Sequence, residues 1–235
     1  VDLTVRNFAR HTLHRIIWFC VRIARAYRRQ RFRIAVRTLC IRDHGRISVQ
    51  VAPTVVFEGR VRLRMRHTHA SGSIRIDDRA VIGDGVEIWL GNGAIHLGPD
   101  TLLRSGCVLM ADGDLTLSAG AVVSWNVYLM ATERVVIGER VAIAQACTVV
   151  DSRHLWSPGA TSYTDATETA PVTIHDEVFV ATGAAILAGA DIGRRCLVGA
   201  NAVVSGQHDP GGLLLGAPAR WQPLPDRLGG NTVLE

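Results

Sequence analysis

Ile174-His175-Asp176-Glu177-Val178-Phe179-Val180-Ala181-Thr182-Gly183-Ala184-Ala185-Ile186 opens a run in which one aliphatic residue returns every six positions, through Ile192 and Val198 to Val204. Two positions before each later beat stands a small or modest residue, namely Val178, Ala184, Ala190, Cys196 and Ala202. Gly193 and Gly199 directly follow two of the beats. An amphipathic helix cannot hold this rhythm, because recurrence at about 3.6 residues drifts out of phase with six within two turns. A meander would space its turn signals by about 8 to 12 residues, which is wider than the interruptions here.

The same beat runs upstream in triplets: Ile76/Ile82/Ile88, Leu97/Leu103/Leu109, Leu117/Val123/Leu129 and Ile137/Ile143/Val149. Steps within a triplet are six, and steps between triplets are nine, eight and eight. Each unit therefore predicts three short strands and a slightly longer turn, repeating at roughly twenty residues, which is solenoid spacing. No single coil buries its apolar edge, so stacking makes the core, and three sides close a triangular prism.

With 235 residues and 48% hydrophobic composition, the chain suits one large domain plus an appendage. The spacing predicts a helical segment over 1–46, a solenoid over 47–223 with a loop over 150–173, and a tail over 224–235. All 26 basic residues are Arg. Residues 1–46 carry 12 of them against Asp2 and Asp43, a balance of +10, while the remainder carries −5, so the overall +5 belongs to the N-terminal segment. Five cysteines without framework spacing predict a reducing compartment. Cys107, Cys147 and Cys196 fall two before a beat, a phase that points them into the core, whereas Cys20 and Cys40 lie in the N-terminal segment.

Residues 3–40 lack the hexad and show helical spacing. Leu13, Ile16, Ile17, Cys20, Ile23, Ala24 and Tyr27 share one face, and Arg15, Arg22, Arg25 and Arg29 line much of the other. The longest uncharged stretch, Ile16 to Val21, is too short to cross a bilayer, and no secretory signal is expected. Two readings stand: a cap on the open end of the solenoid or on a neighbouring subunit, and an interfacial helix on an anionic membrane, with Trp18 and Phe19 on its apolar side. Nucleic acid is not an expected partner, since the basic run carries no zinc, helix-turn-helix or RNP pattern.

After Val149 the next beat comes only 25 positions later, at Ile174. A long interruption inside a solenoid is where function is expected. It begins Asp151-Ser152-Arg153-His154-Leu155-Trp156 and continues through a polar run to Pro171. The hexad, a histidine just after the third beat of a coil, the long loop, the re-entry Pro171-Val172-Thr173-Ile174 and the terminal Gly216-Ala217-Pro218-Ala219-Arg220 together resemble the hexapeptide-repeat acyltransferases. The likeness covers roughly residues 47 to 223.

That resemblance implies a left-handed parallel β-helix, an all-β solenoid, working as a homotrimer with acetyl-CoA or another acyl-CoA between prisms and no metal. It implies His154 as general base: an imidazole, ordinary pKa about 6.5, takes the proton of an alcohol attacking the thioester, an effect of about 10²- to 10⁴-fold. Direct transfer is expected, because the inward phase of three cysteines argues against an acyl-enzyme. Glu168, Asp165 or a backbone carbonyl is expected to orient the imidazole.

The resemblance also places acceptor contacts at Ser124, Asn126 and Thr132, with departures from the galactoside-type pattern that point to a different acceptor. Asn126 reads equally as a turn residue, and Trp156 as a pocket wall or a loop anchor. For CoA it points to Phe179, Ala181, Thr182 and Gly183, then Gly199, Ala200 and Ser205, with an N–H near Thr182 as oxyanion donor. Ser205-Gly206 replaces the family's usual Thr-Lys pair, leaving Arg220 for a nucleotide phosphate, or as a solvated tail charge.

The expected acceptor is a hydroxyl of a sugar in an envelope glycolipid or polysaccharide precursor, at the cytoplasmic face of the plasma membrane. Amino-sugar N-acetylation and serine O-acetylation are alternatives. A metal lyase like the γ-class carbonic anhydrases needs a histidine triplet, and His67, His69, His96, His175 and His208 do not form one by spacing. A non-catalytic assembly protein would leave His154 and the loop without purpose.

Overall fold

The protein, here a computed structural model, is described for residues 3–155 and 167–224, with side chains described from Phe19 onward. Short strands succeed one another around three faces, so that each pairs in parallel with the strand one coil away. The first face holds eight strands, the second nine and the third seven. The family expectation of a β-helix solenoid with an N-terminal helix describes this architecture.

Strand register turns the sequence beat into three internal columns. On the first face Val51, Ile76, Leu97, Leu117, Ile137, Ile174 and Ile192 stand one above another. The second face stacks Phe57, Ile82, Leu103, Val123, Ile143, Val180, Val198 and Leu214. The third stacks Leu63, Ile88, Leu109, Leu129, Val149, Ile186 and Val204. From Ile74 to Val204 the core positions are almost completely buried. The beat thus starts one coil earlier than the sequence reading placed it. Arg62, Arg64 and Arg66 alternate with Leu63 and Met65 on that coil's third side, and the surrounding charge conceals the period.

The small residues two before each beat sit inside the corners. Three of them are the cysteines, whose thiols donate to carbonyls of the next coil: Cys107 to Ser124 O at 2.9 Å, Cys147 to Ala181 O at 3.1 Å, and Cys196 to Asp209 O at 3.1 Å. Burial pushes the Cys107 and Cys147 thiols above the ordinary range, the direction that suppresses thiolate.

A 40-residue helix, α1 (Leu3–Arg42), precedes the first coil, and no described helix is long and apolar enough to cross a membrane. Its packed face is Phe32, Val36 and Leu39, all buried, with Phe32 stacked on Phe57 at 5.0 Å. The face expected from the sequence lies further back. Cys20, Ile23, Ala24 and Tyr27 are exposed, while the side chains of Leu13, Ile16 and Ile17 lie outside the described residues. At about 1.5 Å per residue α1 spans about 60 Å, more than the end of one prism can cover. Arginines of α1 supply the rest of the cap. Arg28 donates to the carbonyls of Phe57 at 2.8 Å and Glu58 at 2.7 Å, Arg29 to Val55 O, and Arg33 to Val51 O, satisfying acceptors that have no preceding coil. At the other end the antiparallel strand Ala219–Pro223 folds onto Gly212–Gly216.

Adjacent residues on one strand should report the prism directly. Leu115→Ala, which empties a fully buried site two positions before the column residue Leu117, is expected to cost about 2–5 kcal/mol. Thr116→Ala, pointing outward beside it, should cost less than about 1 kcal/mol in the same urea unfolding experiment.

Candidate active site

The interruption leaves the prism at the end of the fifth coil, and the hinge is a residue the sequence reading did not single out. Asp151 stands where the two preceding coils carry Ala111 and Ala131 inside the corner. A carboxylate there is fully buried and accepts the backbone N–H groups of Thr132 at 2.7 Å, Glu133 at 2.7 Å and Arg134 at 2.8 Å. Charge-assisted bonds of this kind compensate the loss of water around the carboxylate. Its carbonyl receives the N–H of Ala170, which closes the neck of the excursion at 2.9 Å. The available signal was an acid on the inward phase, two after the beat residue Val149.

Beyond the neck the chain forms an antiparallel arm, Ser152–His154 against Thr167–Thr169. Side chains alternate across such a pair. Arg153 and Glu168 therefore share one side, where the guanidinium grips the carboxylate at 2.6 and 2.9 Å. His154 points to the other, with Nδ1 at 3.2 Å from Thr167 Oγ1. Glu168, one of the groups expected to orient the imidazole, is engaged by Arg153, and the Thr167 hydroxyl stands at the imidazole Nδ1. Asp165 and Trp156 lie outside the described residues.

The His154 side of the arm continues as a strip of hydroxyls. Thr132 Oγ1 donates to Ser152 Oγ at 3.1 Å, and Thr169 Oγ1 donates to Glu133 Oε2 at 2.8 Å. Of these only Thr132 was expected; Ser152, Thr167 and Thr169 were hidden in a polar run without periodicity.

The remaining expected residues fall along two edges flanking the third face. Ser124, Asn126, Ala181, Thr182, Gly183, Gly199 and Ala200 line the turn from the second face to the third, with Phe179 on the adjoining second-face strand and 40% exposed. Thr132, His154 and Ser205 belong to the turn from the third face to the first. Arg220 is exposed on the terminal strand, opposite Leu215. Asn126, Ala146, Gly183 and Asn201 are successive rungs of one corner, each at positive φ (56°, 57°, 73° and 55°), so Asn126 is a turn residue there. In this ladder Gly183 N–H donates to Gln145 O and Ala181 N–H to Val198 O, whereas among the described residues the Thr182 N–H has no backbone acceptor.

Strands such as Tyr128–Ala131 put about 13 Å between the two edges before the turns are counted. On one prism His154 and Thr182 therefore belong to different edges. A cleft of about 970 Å³ lies elsewhere, between α1 and the first coil. Other histidines are engaged along the prism, His96 with Asp77 at 2.8 Å and His175 with Asp191 at 2.9 Å, and no three potential metal ligands converge among the described residues.

Residues 171–206 match the bacterial transferase hexapeptide family (six repeats), the resemblance read from the sequence. No curated protein sequence matches the chain significantly. Among solved structures, a mutant of the Bacillus cereus N-acyltransferase AntD in complex with dTDP-4-amino-4,6-dideoxyglucose and coenzyme A is 16% identical. It covers 80% of this chain and 90% of its own, with a TM-score of 0.48. The polysialic acid O-acetyltransferase OatWY is 15% identical, covering 75% and 84%, with a TM-score of 0.48. A hexapeptide-repeat acetyltransferase from Vibrio cholerae O1 biovar eltor, complexed with acetyl coenzyme A, is 22% identical over 63% and 69%, with a TM-score of 0.40.

Asp151→Ala should leave three backbone N–H groups without their acceptor and cost on the order of 3 kcal/mol. The accompanying readout is faster limited proteolysis within 152–170, at temperatures where the prism itself stays folded.

Proposed function

We propose that this hexapeptide-repeat protein is an acyl-CoA-dependent O-acyltransferase, with acetyl-CoA as donor and a sugar or glycoconjugate hydroxyl as acceptor. The observation that carries the reading is the break in the prism, which raises one imidazole on a clamped arm beside a strip of hydroxyls. A proton on His154 Nδ1, donated to Thr167 Oγ1, would place the lone pair on Nε2, the nitrogen assigned here as base.

The chemistry balances without an acyl-enzyme. The acceptor oxygen attacks the thioester carbonyl as its proton passes to Nε2, and the resulting oxyanion needs a positioned donor, for which the Thr182 N–H is the candidate. The C–S bond then breaks, and the imidazolium returns the proton to the departing CoA thiolate. Small residues at Ala181, Gly183, Gly199 and Ala200 let pantetheine approach backbone, Phe179 offers an exposed aromatic surface, and Arg220 suits a nucleotide phosphate. Thr132, Ser152 and Thr169 offer hydroxyls to a polyol acceptor.

Separation of the two edges supports a homotrimer in which the His154 edge of one prism faces the Thr182 edge of the next. Neither half then works alone, and a closed ring satisfies every site.

His154→Ala is expected to lower acyl transfer by about 10²- to 10⁴-fold, read as CoA thiol release with sugar hydroxyl acceptors, while acetyl-CoA still binds. Equal turnover in both proteins would refute the role of His154, and preference for an amine acceptor would refute O-transfer. Mixing His154→Ala with Thr182→Pro subunits, each inactive, should restore activity if the site is shared between prisms. No recovery after demonstrated subunit exchange would place the site within one chain.

A further inference from the structure

The cleft between α1 and the first coil lies far along the prism from His154, and its chemistry is not that of the transfer site. About 970 Å³ in volume, it runs between α1 and the first coil, at the upper end of the roughly 300–1,000 Å³ usual for small-molecule pockets. Its floor is apolar: Phe32, Leu39, Phe57, Val61 and Leu63. Its walls carry six guanidinium groups, Arg28, Arg31 and Arg42 from α1 and Arg60, Arg62 and Arg64 from the coil, and no lining residue is acidic.

Neighbouring carboxylates account for only part of this charge. Asp43 takes Arg42 at 2.6 Å, and Glu87 takes Arg62 at 2.8 Å and approaches Arg64 at 3.9 Å. Arg28 is engaged by carbonyls of the first coil. Arg31 lies over the Tyr27 ring, and among the described residues neither Arg31 nor Arg60 has a carboxylate partner for its side chain. The two stand on opposite walls.

Beside the cleft, α1 leaves an apolar stripe uncovered. At about 100° per residue, Phe19, Ile23, Tyr27 and Ile34 fall within roughly 80° of one another, opposite the buried Phe32, Val36 and Leu39. They are 62%, 54%, 61% and 51% exposed, and Ile34 also lines the cleft, so stripe and cleft are continuous.

We infer that this cleft and stripe bind an anionic membrane phospholipid, its phosphate between Arg31 and Arg60 and its acyl chains on the apolar floor and stripe. A helix lying in the interface needs an apolar face and flanking cations, which α1 supplies without being able to span. Nucleic acid would match the guanidiniums but not the apolar floor. The inference is independent of the transfer chemistry, because its readout is binding.

The test sediments the full chain with phosphatidylcholine vesicles that contain or lack phosphatidylglycerol. Co-sedimentation is expected only with phosphatidylglycerol. Arg31→Gln with Arg60→Gln should weaken it about thirtyfold, at about fivefold per guanidinium. Arg104→Gln with Arg195→Gln, an equal charge change elsewhere, should bind like wild type. Ile34→Ser with Tyr27→Ser alters exposed side chains only, so it tests the stripe without threatening the fold, and should also weaken binding. Equal binding to neutral vesicles, equal loss in both arginine pairs, or full binding by the serine variant would overturn the proposal. So would displacement by inorganic phosphate beyond that of chloride at equal ionic strength, which would make the ligand a free phosphate.

Discussion

Lateral hydrogen bonding from coil to coil is the constraint on which everything else depends. A strand of two residues, such as Val122–Val123, has no stability of its own, and exists because Leu102–Leu103 lies on one side and Ala142–Ile143 on the other. A structure built this way has only three places where backbone groups lose partners: the first coil, the last coil and any interruption. Each is closed by a different device here. Arginine side chains reach the carbonyls of the first coil, a reversed strand covers the last, and the carboxylate of Asp151 gathers the three amides exposed where the fifth coil opens.

The same constraint places the chemistry. Side chains inside the prism are confined to columns of aliphatic and small residues, so reactive groups are available only outside the stack, on the outward faces, at corners and on excursions. His154 is lifted clear of the stack, yet its strand is tethered within three residues of a buried anchor. The general base proposed above needs that combination, an exposed imidazole on a tethered strand with Thr167 at its Nδ1.

Much of this was legible in the sequence because the hexad is a property of single residues at fixed intervals. Ile76 through Val204 could be assigned to columns before any coordinates, and the inward cysteines could be read as core. The first coil was hidden because Arg62, Arg64 and Arg66 mask the apolar alternation. The packed face of α1 was not singled out because helical periodicity reveals that a face exists, not how far along the helix the prism lies against it. His154 was legible through the silence around it. Thr167 was not, since it meets His154 only through the register of an arm whose sequence has no pattern, and the pairing of Glu168 with Arg153 follows from the same register.

A solenoid also has a metric. Four coil spacings separate the coil beneath α1 from the coil that opens at Asp151, and at about 4.8 Å each they set a rise of about 19 Å between the arginine-walled cleft and the imidazole arm. With α1 resting on a bilayer, that rise becomes the height above the lipid surface at which an acceptor would be met. Duplicating or deleting one twenty-residue coil would move that height by a single increment while leaving both ends chemically intact. The prism then acts as a ruler, and coil number becomes a variable by which evolution or design could set the distance between the arginine-walled cleft and the imidazole arm.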